Sequence, residues 1–554
     1  MGAAIRGVRN VTARTERCWP MTSTEQTGRL SPGVRARNIE RLRREPFDVL
    51  VIGGGINGAA VARDAAMRGL RVALVEKGDF ASGTSSKSSK LIHGGVRYLQ
   101  QRDFRLVRVA CRERDLLRRR LAPHLVQPLA FLFPVYRGDP VGFVTLGLGM
   151  WLYDLLAAFR NIQAHRMIRS KHLKRIEPQL RADGLRGAAL YYDCVTDDAR
   201  LTLETILAAH EEGAVVANYL ELQEFVKAGG RLTGAVVADR FGNGETEIRA
   251  RCVVNVTGPW ADHVRRLDDP AAPPCLRLTK GAHILVPRER VGNTHAVVMR
   301  SPRDHRVLFT IPWGAHALVG TTDTDFDGSA DDVRADRDDF EYLLEAANWY
   351  FPRARLVERD IVGSYAGLRP LVADPEATDP SAVSREEEIF EAPSGLITLG
   401  GGKLTTHRLI AMEIVDLVSL RLGIGNGAKR SPTAGKPLPG GVVTDPVTLA
   451  RAFDGRDGVT LTPAQVEHLV HRYGSRVSEV IALLREDASL ARPVVPGMPD
   501  LLAEAVYAAR AEMALRPDDI LLRRTNLGLT EPADSSQVID SVVRILNSSG
   551  SSGD

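Results

Sequence analysis

Residues 46–98 of this 554-residue chain read PFDVLVIGGGINGAAVARDAAMRGLRVALVEKGDFASGTSSKSSKLIHGGVRY. Val49–Ile52 is a short, wholly apolar run, as expected of a strand that is buried on both faces of a parallel sheet. Gly53, Gly55 and Gly58 follow with the spacing G-x-G-x-x-G. This spacing allows a tight turn, a close approach of the backbone to a pyrophosphate, and close packing of helix on strand. The stretch therefore predicts a βαβ unit that binds a nucleotide.

The rest of the unit also fits a nucleotide site. Ala59–Leu70 is patterned as a helix whose positive N-terminus would face the phosphates, and Arg71–Val75 as a second strand that ends at Glu76. A carboxylate at this position accepts hydrogen bonds from ribose hydroxyls and repels a 2′-phosphate. The residues of this unit that we expect to bind the cofactor are Gly53, Gly55, Ile56, Asn57, Gly58, Glu76 and Lys77.

The composition is that of a globular protein with more than one domain. The chain is 44% hydrophobic and 25% charged, and its 554 residues are too many for one core, so two or three domains are expected. Its five cysteines are scattered, without a C-x-x-C pair, which is typical of reduced cytosolic proteins. The sequence therefore predicts neither a disulfide framework nor a metal site.

The positive charge is concentrated at the N-terminus. The net charge is +5, but residues 1–45 hold ten arginines and four glutamates, a net of +6, so the remainder has a charge of −1. The folded body is thus not basic, and no nucleic-acid partner is expected. The segment also lacks the apolar region of a secretory signal. We expect residues 1–45 to form a basic, disordered arm.

A polar loop after Glu76 favours FAD over NAD as the cofactor. An NAD-binding protein would continue with another crossover helix, whereas residues 82–95 supply hydroxyls, backbone N–H groups and a Gly-Gly pair. Two distant glycine turns, at 254–260 and 400–406, fit the same site, because the second opens a helix whose positive end stabilises a reduced flavin. The further residues that we expect to bind FAD are Thr84, Ser85, Ser86, Ser88, Ser89, Lys90, Leu91, His93, Gly258, Gly402, Lys403, Leu404 and Thr405.

The order of patterns predicts a mixed α/β (α+β) fold with a Rossmann-like FAD-binding domain, an antiparallel-sheet substrate domain and a C-terminal all-α domain. Alternating apolar runs begin near Leu190, and the runs at 252–255 and 397–402 indicate returns to the nucleotide-binding sheet. We place the FAD-binding domain at 46–125, about 190–275 and 360–421, the substrate domain at about 126–189 and 276–359, a Gly/Pro-rich linker at 422–445, the helical domain at 446–535, and a flexible tail at 536–554.

Two neighbouring segments bear on membrane contact. Val141–Tyr153 is an apolar run of thirteen residues, short of the roughly 18–20 that span a bilayer. A buried helix is the simplest interpretation, and an interfacial helix with Trp151 and Tyr153 at the headgroup level is the alternative. Asp103–Leu121 is an arginine-rich helix whose charges form either a solvated face or a basic surface beside a membrane.

Ten motifs together resemble the FAD-dependent glycerol-3-phosphate dehydrogenases. They are GGGINGA at 53–59, TSSKSSKLIHGGVRYL at 84–99, DDARL at 197–201, VNVTGPW at 254–260, KGAHILVP at 280–287, IPWGAHALVGTTDTD at 311–325, GLRPL at 367–371, GGKLTTHR at 401–408, RYGSRV at 472–477 and DILLRRTNLG at 519–528. The resemblance covers roughly residues 46–530 and implies a fold of the D-amino-acid-oxidase-like type. It also implies oxidation of sn-glycerol 3-phosphate to dihydroxyacetone phosphate, with electrons passing through FAD to a membrane quinone.

The same resemblance implies the residues of the substrate pocket. The family positions that line it match Arg97, Tyr98, His283, Arg369, Arg385 and Lys403. We expect Arg97 and Arg385 to bind the phosphate, because a planar guanidinium can donate two parallel hydrogen bonds. His283 would take the hydroxyl proton and Arg369 would polarise the C2 oxygen, or these two roles are exchanged. Lys403 would neutralise the flavin charge or bind the substrate.

Several alternatives stay open at this level. Oxygen in place of a quinone would make the protein a glycerol-3-phosphate oxidase. An amine or amino-acid oxidase of the same superfamily would need one carboxylate-binding arginine and an apolar pocket. The family usually has an aromatic residue or a histidine two positions after Arg385, whereas this chain has Glu387. We expect a cytoplasmic protein that is peripheral at the inner face of the cell membrane, and its assembly as a homodimer is open.

Overall fold

The computed structural model describes residues 29–96, 103–158, 161–242, 244–373, 387–424, 430–442, 461–530 and 542–545. The strands are β1 (Phe47–Ile52), β2 (Val72–Val75), β3 (Leu91–Ile92), β4 (Gln127–Tyr136), β5 (Arg166–Arg169), β6 (Leu185–Val195), β7 (Val215–Ala217), β8 (Leu220–Ala228), β9 (Arg231–Asp239), β10 (Glu245–Asn255), β11 (Leu276–Pro287), β12 (Ala296–Arg300), β13 (Val307–Trp313), β14 (His316–Gly320), β15 (Thr324–Asp325), β16 (Gly363–Val372), β17 (Glu388–Glu391) and β18 (Leu396–Gly400).

The α-helices alternate with the strands in the first part of the chain and follow one another in the last. They are α1 (Pro32–Arg44), α2 (Ile56–Met67), α3 (Phe104–Leu116), α4 (Phe143–Leu156), α5 (Ser170–Ile176), α6 (Asp198–Glu211), α7 (Ala261–Asp268), α8 (Arg288–Val291), α9 (Arg337–Tyr350), α10 (His407–Arg421), α11 (Pro463–Tyr473), α12 (Val477–Glu486), α13 (Leu502–Ala511), α14 (Pro517–Asp519) and α15 (Leu527–Thr530).

The first sheet is built around β1 and has the order β17-β18-β10-β1-β2-β7. Its strands β18, β10, β1, β2 and β7 run parallel, so the two later apolar runs of the sequence lie beside the first strand. Helices α2, α6 and α10 cover one face. The other face is covered by α1 and by a small antiparallel sheet of β8, β9 and the first half of β10, the strand that then continues into the first sheet. Because these strands are buried on both faces, they read as continuous apolar runs. The carboxyl ends of the parallel strands meet at one edge, where ligands of such sheets bind.

The second sheet has the order β15-β11-β14-β13-β12-β4-β6-β3, with β16 beside β11 and β5 beside β6. Its helices are α9 on one face and α3 and α4 on the other. The domain boundaries expected at 190 and 360 are wrong, because Leu185–Val195 pairs with β4 and Gly363–Val372 pairs with β11. Strands of two adjoining sheets have similar local patterns, and only their distant pairing partners assign them.

The segment 29–45 is not a disordered arm. Ser31 caps α1 by accepting a hydrogen bond from the N–H of Val34, and Pro32 occupies the first helical turn. The guanidinium of Arg35 is buried and lies 2.9 Å from the carboxylate of Asp239, while Leu42 packs in the core below the first sheet. These long-range contacts offset the entropy of ordering the helix, and an arginine count does not reveal them.

The C-terminal helical domain that the sequence predicts is present as α11 to α15. It has an apolar core of its own, which includes Leu469, Val480, Leu484 and Val506. Within the expected flexible tail, residues 542–545 form a helical turn whose Val542 is buried, so that expectation is wrong for this turn. The Gly/Ser-rich composition that predicted mobility belongs to 547–554, whereas Val542 and, in part, Ile545 pack on the helical domain.

The arginine-rich helix α3 has the solvated face that the sequence predicts, with one exception. Arg105, Arg108 and Arg112 are exposed. Arg114 is buried and forms an ion pair with Asp193 on β6. Its partner lies 79 residues further along the chain, so the helical pattern alone did not distinguish it from the exposed arginines.

Candidate functional site

A cavity of about 980 Å³ lies at the carboxyl ends of β1, β2 and β10. The turn after β1, the loop after β2 and the loop that precedes α10 form its walls. The predicted cofactor residues that line it are Gly53, Gly55, Ile56, Asn57, Glu76, Lys77, Thr84, Ser85, Ser88, Gly258, Gly402, Lys403 and Leu404. The tertiary structure thus brings together three stretches that are far apart in the chain.

The turn between β1 and α2 fits the close approach of a pyrophosphate. Gly53 has a φ of +113°, which side-chain-bearing residues rarely adopt. A Cβ atom on Gly58 would lie 1.9 Å from the carbonyl oxygen of Gly53, so only glycine allows this contact of helix and strand. The carboxylate of Glu76 accepts hydrogen bonds from the N–H groups of Gly54 at 2.7 Å and Gly78 at 2.8 Å. These bonds fix its orientation at the cavity wall and leave oxygen lone pairs for a ribose.

The polar groups of this cavity fit a flavin dinucleotide. The Oδ1 atom of Asn57 is buried and makes no hydrogen bond with any residue that the structure describes, as expected of a group whose partner is a ligand. At the mouth, the ammonium of Lys77 lies 2.6 Å from Asp331 and 4.2 Å from the centre of the Trp260 ring. The hydroxyls, backbone N–H groups and carboxylate that line this cavity are therefore the groups that would hydrogen-bond the ribose and phosphates of FAD.

A second cavity of about 310 Å³ adjoins the first. The two share wall residues Thr84, Ser88, Pro370, Gly401, Gly402, Lys403 and Leu404. The smaller cavity has one polar side, formed by His283, Arg369 and the loop 84–89, and one apolar side, which includes Phe131, Phe133 and Phe309. A small substrate on the polar side would lie directly beside a cofactor in the larger cavity.

His283 lies in the middle of β11, opposite Gly320 of β14 and Tyr365 of β16. Its ring stacks on that of Tyr365, with the centroids 4.8 Å apart and the planes 19° from parallel. Its Nε2 atom lies 2.9 Å from the hydroxyl oxygen of Ser89. Its Nδ1 atom is buried and makes no hydrogen bond with any described residue. The imidazole is therefore held rigidly from two sides in the wall of the small cavity.

The protonation state of His283 follows from its surroundings. Burial, together with the positive charges of Arg369 and Lys90, lowers its pKa to about 3. The imidazole is therefore neutral at physiological pH and can accept a proton.

Arg369 lies on the same face of β16 as Tyr365, in keeping with the two-residue period of a strand. Its guanidinium donates to the carboxylate of Asp323 at 3.0 Å and to the hydroxyl of Thr321 at 2.9 Å. It also donates to the carbonyl oxygen of Thr322 at 3.1 Å. These bonds hold the charged group at the cavity wall, and a guanidinium does not release a proton in proteins.

The small cavity has more positive than negative groups among its described residues. Its cationic wall residues are Lys87, Arg306, Arg369 and Lys403, and its acidic ones are Asp193 and Asp323. Asp193 forms an ion pair with Arg114, which is not a wall residue, whereas Arg369 and Arg306 of the wall form ion pairs with Asp323 and Asp304. Burial and the charge of Arg523 lower the pKa of the Lys87 ammonium. The excess positive charge suits an anionic substrate.

The structure places most predicted site residues in the walls of the two cavities, but not all of them. Besides the shared wall, Ser89, Leu91, His93, His283, Arg369 and Thr405 line the small cavity. Arg97, Tyr98 and Arg385 lie outside the described residues. Gly58, Ser86 and Lys90 line neither cavity. The ammonium of Lys90 is buried 2.7 Å from the carboxylate of Asp198, so its position is explained by this ion pair.

Sequence reasoning missed Lys87, Arg306 and Thr321 in the wall of the small cavity, and Tyr365, whose ring stacks on His283. Tyr365 was detectable, because it lies four residues before Arg369 in a strand and thus on the same face. Lys87 and Arg306 gave no signal, since an isolated cation in a loop is usually solvated. Their position at the cavity depends on the packing of the loop after β2 against the second sheet.

Two buried histidines should make the protein less stable in acid. Burial lowers the pKa of His407 to about 4, and that of His283 is about 3, whereas an unfolded histidine titrates near pH ~6.5. Below that pH the unfolded chain binds protons that the folded chain does not. The stabilisation is thus complete above about pH 6.5 and is lost as the pH falls, by about 1.4 kcal/mol per pH unit for each histidine. Urea unfolding of His407→Gln between about pH 7 and 5 should give a smaller pH slope than the wild type, and an equal slope would contradict this.

Comparisons with known proteins agree with this geometry. A family described as FAD dependent oxidoreductase matches residues 48–417, and the C-terminal domain of alpha-glycerophosphate oxidase matches residues 431–550. The aerobic glycerol-3-phosphate dehydrogenase of Staphylococcus saprophyticus is 38% identical over 492 residues, which cover 87% of either chain. Glycerol-3-phosphate dehydrogenase 2 of Mycobacterium tuberculosis is 39% identical over 528 residues, 93% of this chain and 86% of its own. The crystal structure of the glycerol-3-phosphate dehydrogenase from Bacillus halodurans, complexed with FAD, is 33% identical, with a TM-score of 0.78 and 94% of each chain covered.

Proposed function

Because the chain belongs to the family of FAD-dependent glycerol-3-phosphate dehydrogenases, we propose that it oxidises sn-glycerol 3-phosphate to dihydroxyacetone phosphate. The observation that carries this proposal is the small cationic cavity beside the larger one, with His283 and Arg369 in its wall. FAD, when bound, supplies the acceptor for the hydride of the substrate carbon. The protein itself has to bind the phosphate dianion, orient the alcohol and take up the hydroxyl proton.

We assign the two roles that the sequence left open as follows, with the protonation states as support. His283 is neutral at physiological pH, since its pKa is about 3, and it accepts the hydroxyl proton. Arg369 keeps its charge beside Asp323 and stabilises the negative charge that develops on the C2 oxygen. Lys87, Arg306 and Lys403 supply positive charge for the phosphate. Arg97 and Arg385 remain predicted phosphate-binding residues and Tyr98 a predicted residue of the substrate pocket, and all three lie outside the described part of the chain.

A reductive titration under anaerobic conditions tests the substrate. Glycerol 3-phosphate should bleach the flavin absorption band near ~450 nm, and neither glycerol nor amino acids should do so. Bleaching by an amino acid instead would favour the amine-oxidase alternative. The excess of cations in the small cavity already argues against it, because one carboxylate needs one arginine.

We further propose that a membrane quinone, rather than oxygen, reoxidises the flavin. The support is an apolar stripe on α4, formed by Val144, Leu148, Trp151 and Leu155, whose exposed fractions are 75%, 67%, 62% and 59%. The opposite side of the helix is buried. The fully buried helix that we favoured from the sequence is therefore not found, because one side of α4 is apolar and exposed. None of the helices in the described residues has the length and apolar character that crossing a bilayer requires. An interfacial helix beside the exposed arginines of α3 fits a peripheral site at the inner membrane face.

The stripe on α4 can be tested by its contribution to vesicle binding. Replacing Leu148 and Trp151 by serine should weaken binding to anionic vesicles by about tenfold or more, because each apolar side chain contributes roughly 1.5–3 kcal/mol when buried. Co-sedimentation with phosphatidylglycerol-containing vesicles at low salt measures this loss. Leu420→Ser is the matched control, since Leu420 is 70% exposed on α10 and lines neither cavity. Equal binding of all variants would contradict the membrane proposal.

The two acceptors can be separated after the flavin has been reduced by the substrate. Reoxidation by a soluble quinone analogue should be much faster than reoxidation by air-saturated buffer. A faster reaction with oxygen, with release of hydrogen peroxide, would instead make the protein a glycerol-3-phosphate oxidase.

A further inference from the structure

The motif DDARL at 197–201 contains two adjacent acids that the structure uses differently. Asp197 caps α6, because its carboxylate accepts a hydrogen bond from the N–H of Arg200 at 3.0 Å. It also accepts one from the side chain of Asn526 at 2.6 Å, in the C-terminal domain. Asp198, the first residue of α6, is completely buried and contacts the loop that separates the two cavities. Helix capping therefore accounts for Asp197. Asp198 accepts one bond within α6, from the N–H of Ala199 at 2.9 Å, but its carboxylate directs its other contacts to this loop.

Asp198 holds one short segment of this loop with both of its carboxylate oxygens. One oxygen lies 2.7 Å from the ammonium of Lys90. The other accepts hydrogen bonds from the N–H of Ser88 at 3.0 Å and from its hydroxyl at 2.6 Å. The hydroxyl oxygen of Ser88 in turn accepts from the N–H of Lys90 at 3.0 Å. The backbone of this segment is thus fixed by a single buried carboxylate.

The same segment makes both contacts that hold the imidazole of His283. The carbonyl oxygen of Ser88 accepts a hydrogen bond from the hydroxyl of Tyr365 at 2.8 Å, and the ring of Tyr365 stacks on His283. The hydroxyl oxygen of Ser89 lies 2.9 Å from the Nε2 atom of His283. A shift of residues 88 and 89 would therefore move the imidazole or break its contacts.

We propose that Asp198 is a positioning residue for the reaction: through Ser88, Ser89 and Tyr365 it sets the place of His283 relative to the substrate. Lys90 takes part in this positioning, because a buried carboxylate needs a counter-charge and Lys90 supplies it from the same loop. This inference rests on the role proposed for His283. Asp198 lines neither cavity, so a survey of the residues at the substrate site would not identify it.

A single substitution would not test the proposal cleanly, because a buried charge without its partner destabilises the fold. The double variant Asp198→Ala with Lys90→Met removes both charges together and should regain most of the thermal stability that Asp198→Ala alone loses. Its Ser88 N–H and hydroxyl remain without their acceptor. We therefore expect kcat, per bound flavin, to fall about tenfold to 10²-fold, since a displacement of about 1 Å can have that effect. KM for glycerol 3-phosphate should change far less, because the cationic groups of the cavity are intact.

Two further variants complete the test. Ser88→Ala keeps the ion pair and removes one hydrogen bond of the carboxylate, so kcat should fall here as well, by a smaller factor. Asp197→Asn is the matched control, because Asp197 caps the same helix without touching the loop, and kcat should stay at the wild-type value. A double variant with wild-type kcat, whatever its thermal stability, would overturn the proposal and leave Asp198 a structural residue.

His283→Gln separates this failure from a failure of the proposed function. If His283→Gln is inactive while the double variant is fully active, only the positioning role is wrong. If His283→Gln itself keeps full activity, the proposed chemistry is wrong and the positioning role falls with it.

Discussion

Replacing His283 by glutamine is expected to lower the rate of flavin reduction by glycerol 3-phosphate about 10²- to 10⁴-fold, which is the usual contribution of a positioned general acid or base. Glutamine preserves much of the size of the side chain and can still contact the hydroxyl of Ser89, but it cannot take up a proton at neutral pH. The effect should therefore appear in kcat more than in KM, because the groups that bind the phosphate are unchanged. Rapid-mixing absorption measurements under anaerobic conditions follow the step directly.

A histidine outside the site provides the control for this variant. The Nδ1 atom of His295 lies 2.8 Å from the carboxylate of Glu177 and the residue lines neither cavity, so His295→Gln should reduce its flavin at the wild-type rate. The pH dependence gives a second check. Because burial and the charges of Arg369 and Lys90 keep the pKa of His283 at about 3, the defect should persist throughout the neutral range. A His283→Gln protein within a few-fold of the wild type would assign the proton to another group.

Replacing Arg369 by lysine should lower kcat/KM for glycerol 3-phosphate about 10²- to 10³-fold, the range found when one donor to a developing oxyanion is removed. Lysine keeps the charge, but its single ammonium cannot reproduce the three bonds that the guanidinium makes with Asp323, Thr321 and the Thr322 carbonyl. The remaining charge would therefore lie away from the C2 oxygen. Steady-state kinetics with a quinone analogue measures the loss.

The control for Arg369 is an arginine with a similar ion pair elsewhere. Arg290 contacts Asp360 at 2.7 Å and lines neither cavity, so Arg290→Lys should leave kcat/KM unchanged. The split between kcat and KM then distinguishes the two possible functions of Arg369. A loss that appears mainly in kcat indicates stabilisation of the C2 oxygen. A rise in KM with an unchanged kcat would indicate that Arg369 binds the phosphate instead.

Local patterns were sufficient for the elements that carry the cofactor. The apolar run of β1, the glycines after it and the acid that ends β2 are neighbours in sequence, and their spacing reflects contacts within one βαβ unit. The all-α character of the C-terminal domain was equally local, because helical periodicity needs no distant partner. In contrast, α1 was not predicted, since its stability depends on Asp239 and on the core below the first sheet.

The sequence by itself determined the nucleotide-binding unit, the family motifs and the identity of His283 and Arg369 as candidates. Only the tertiary structure decided which residues surround them: Tyr365 against the imidazole, Lys87 and Arg306 in the cavity wall, and Asp198 behind Lys90. It also showed that Lys90 forms a buried ion pair with Asp198 and that α4 presents an apolar stripe. The physical reason is that burial, counter-charges and hydrogen bonds join residues tens to hundreds of positions apart. Such contacts leave no periodic trace in the chain, whereas a turn or a helix does.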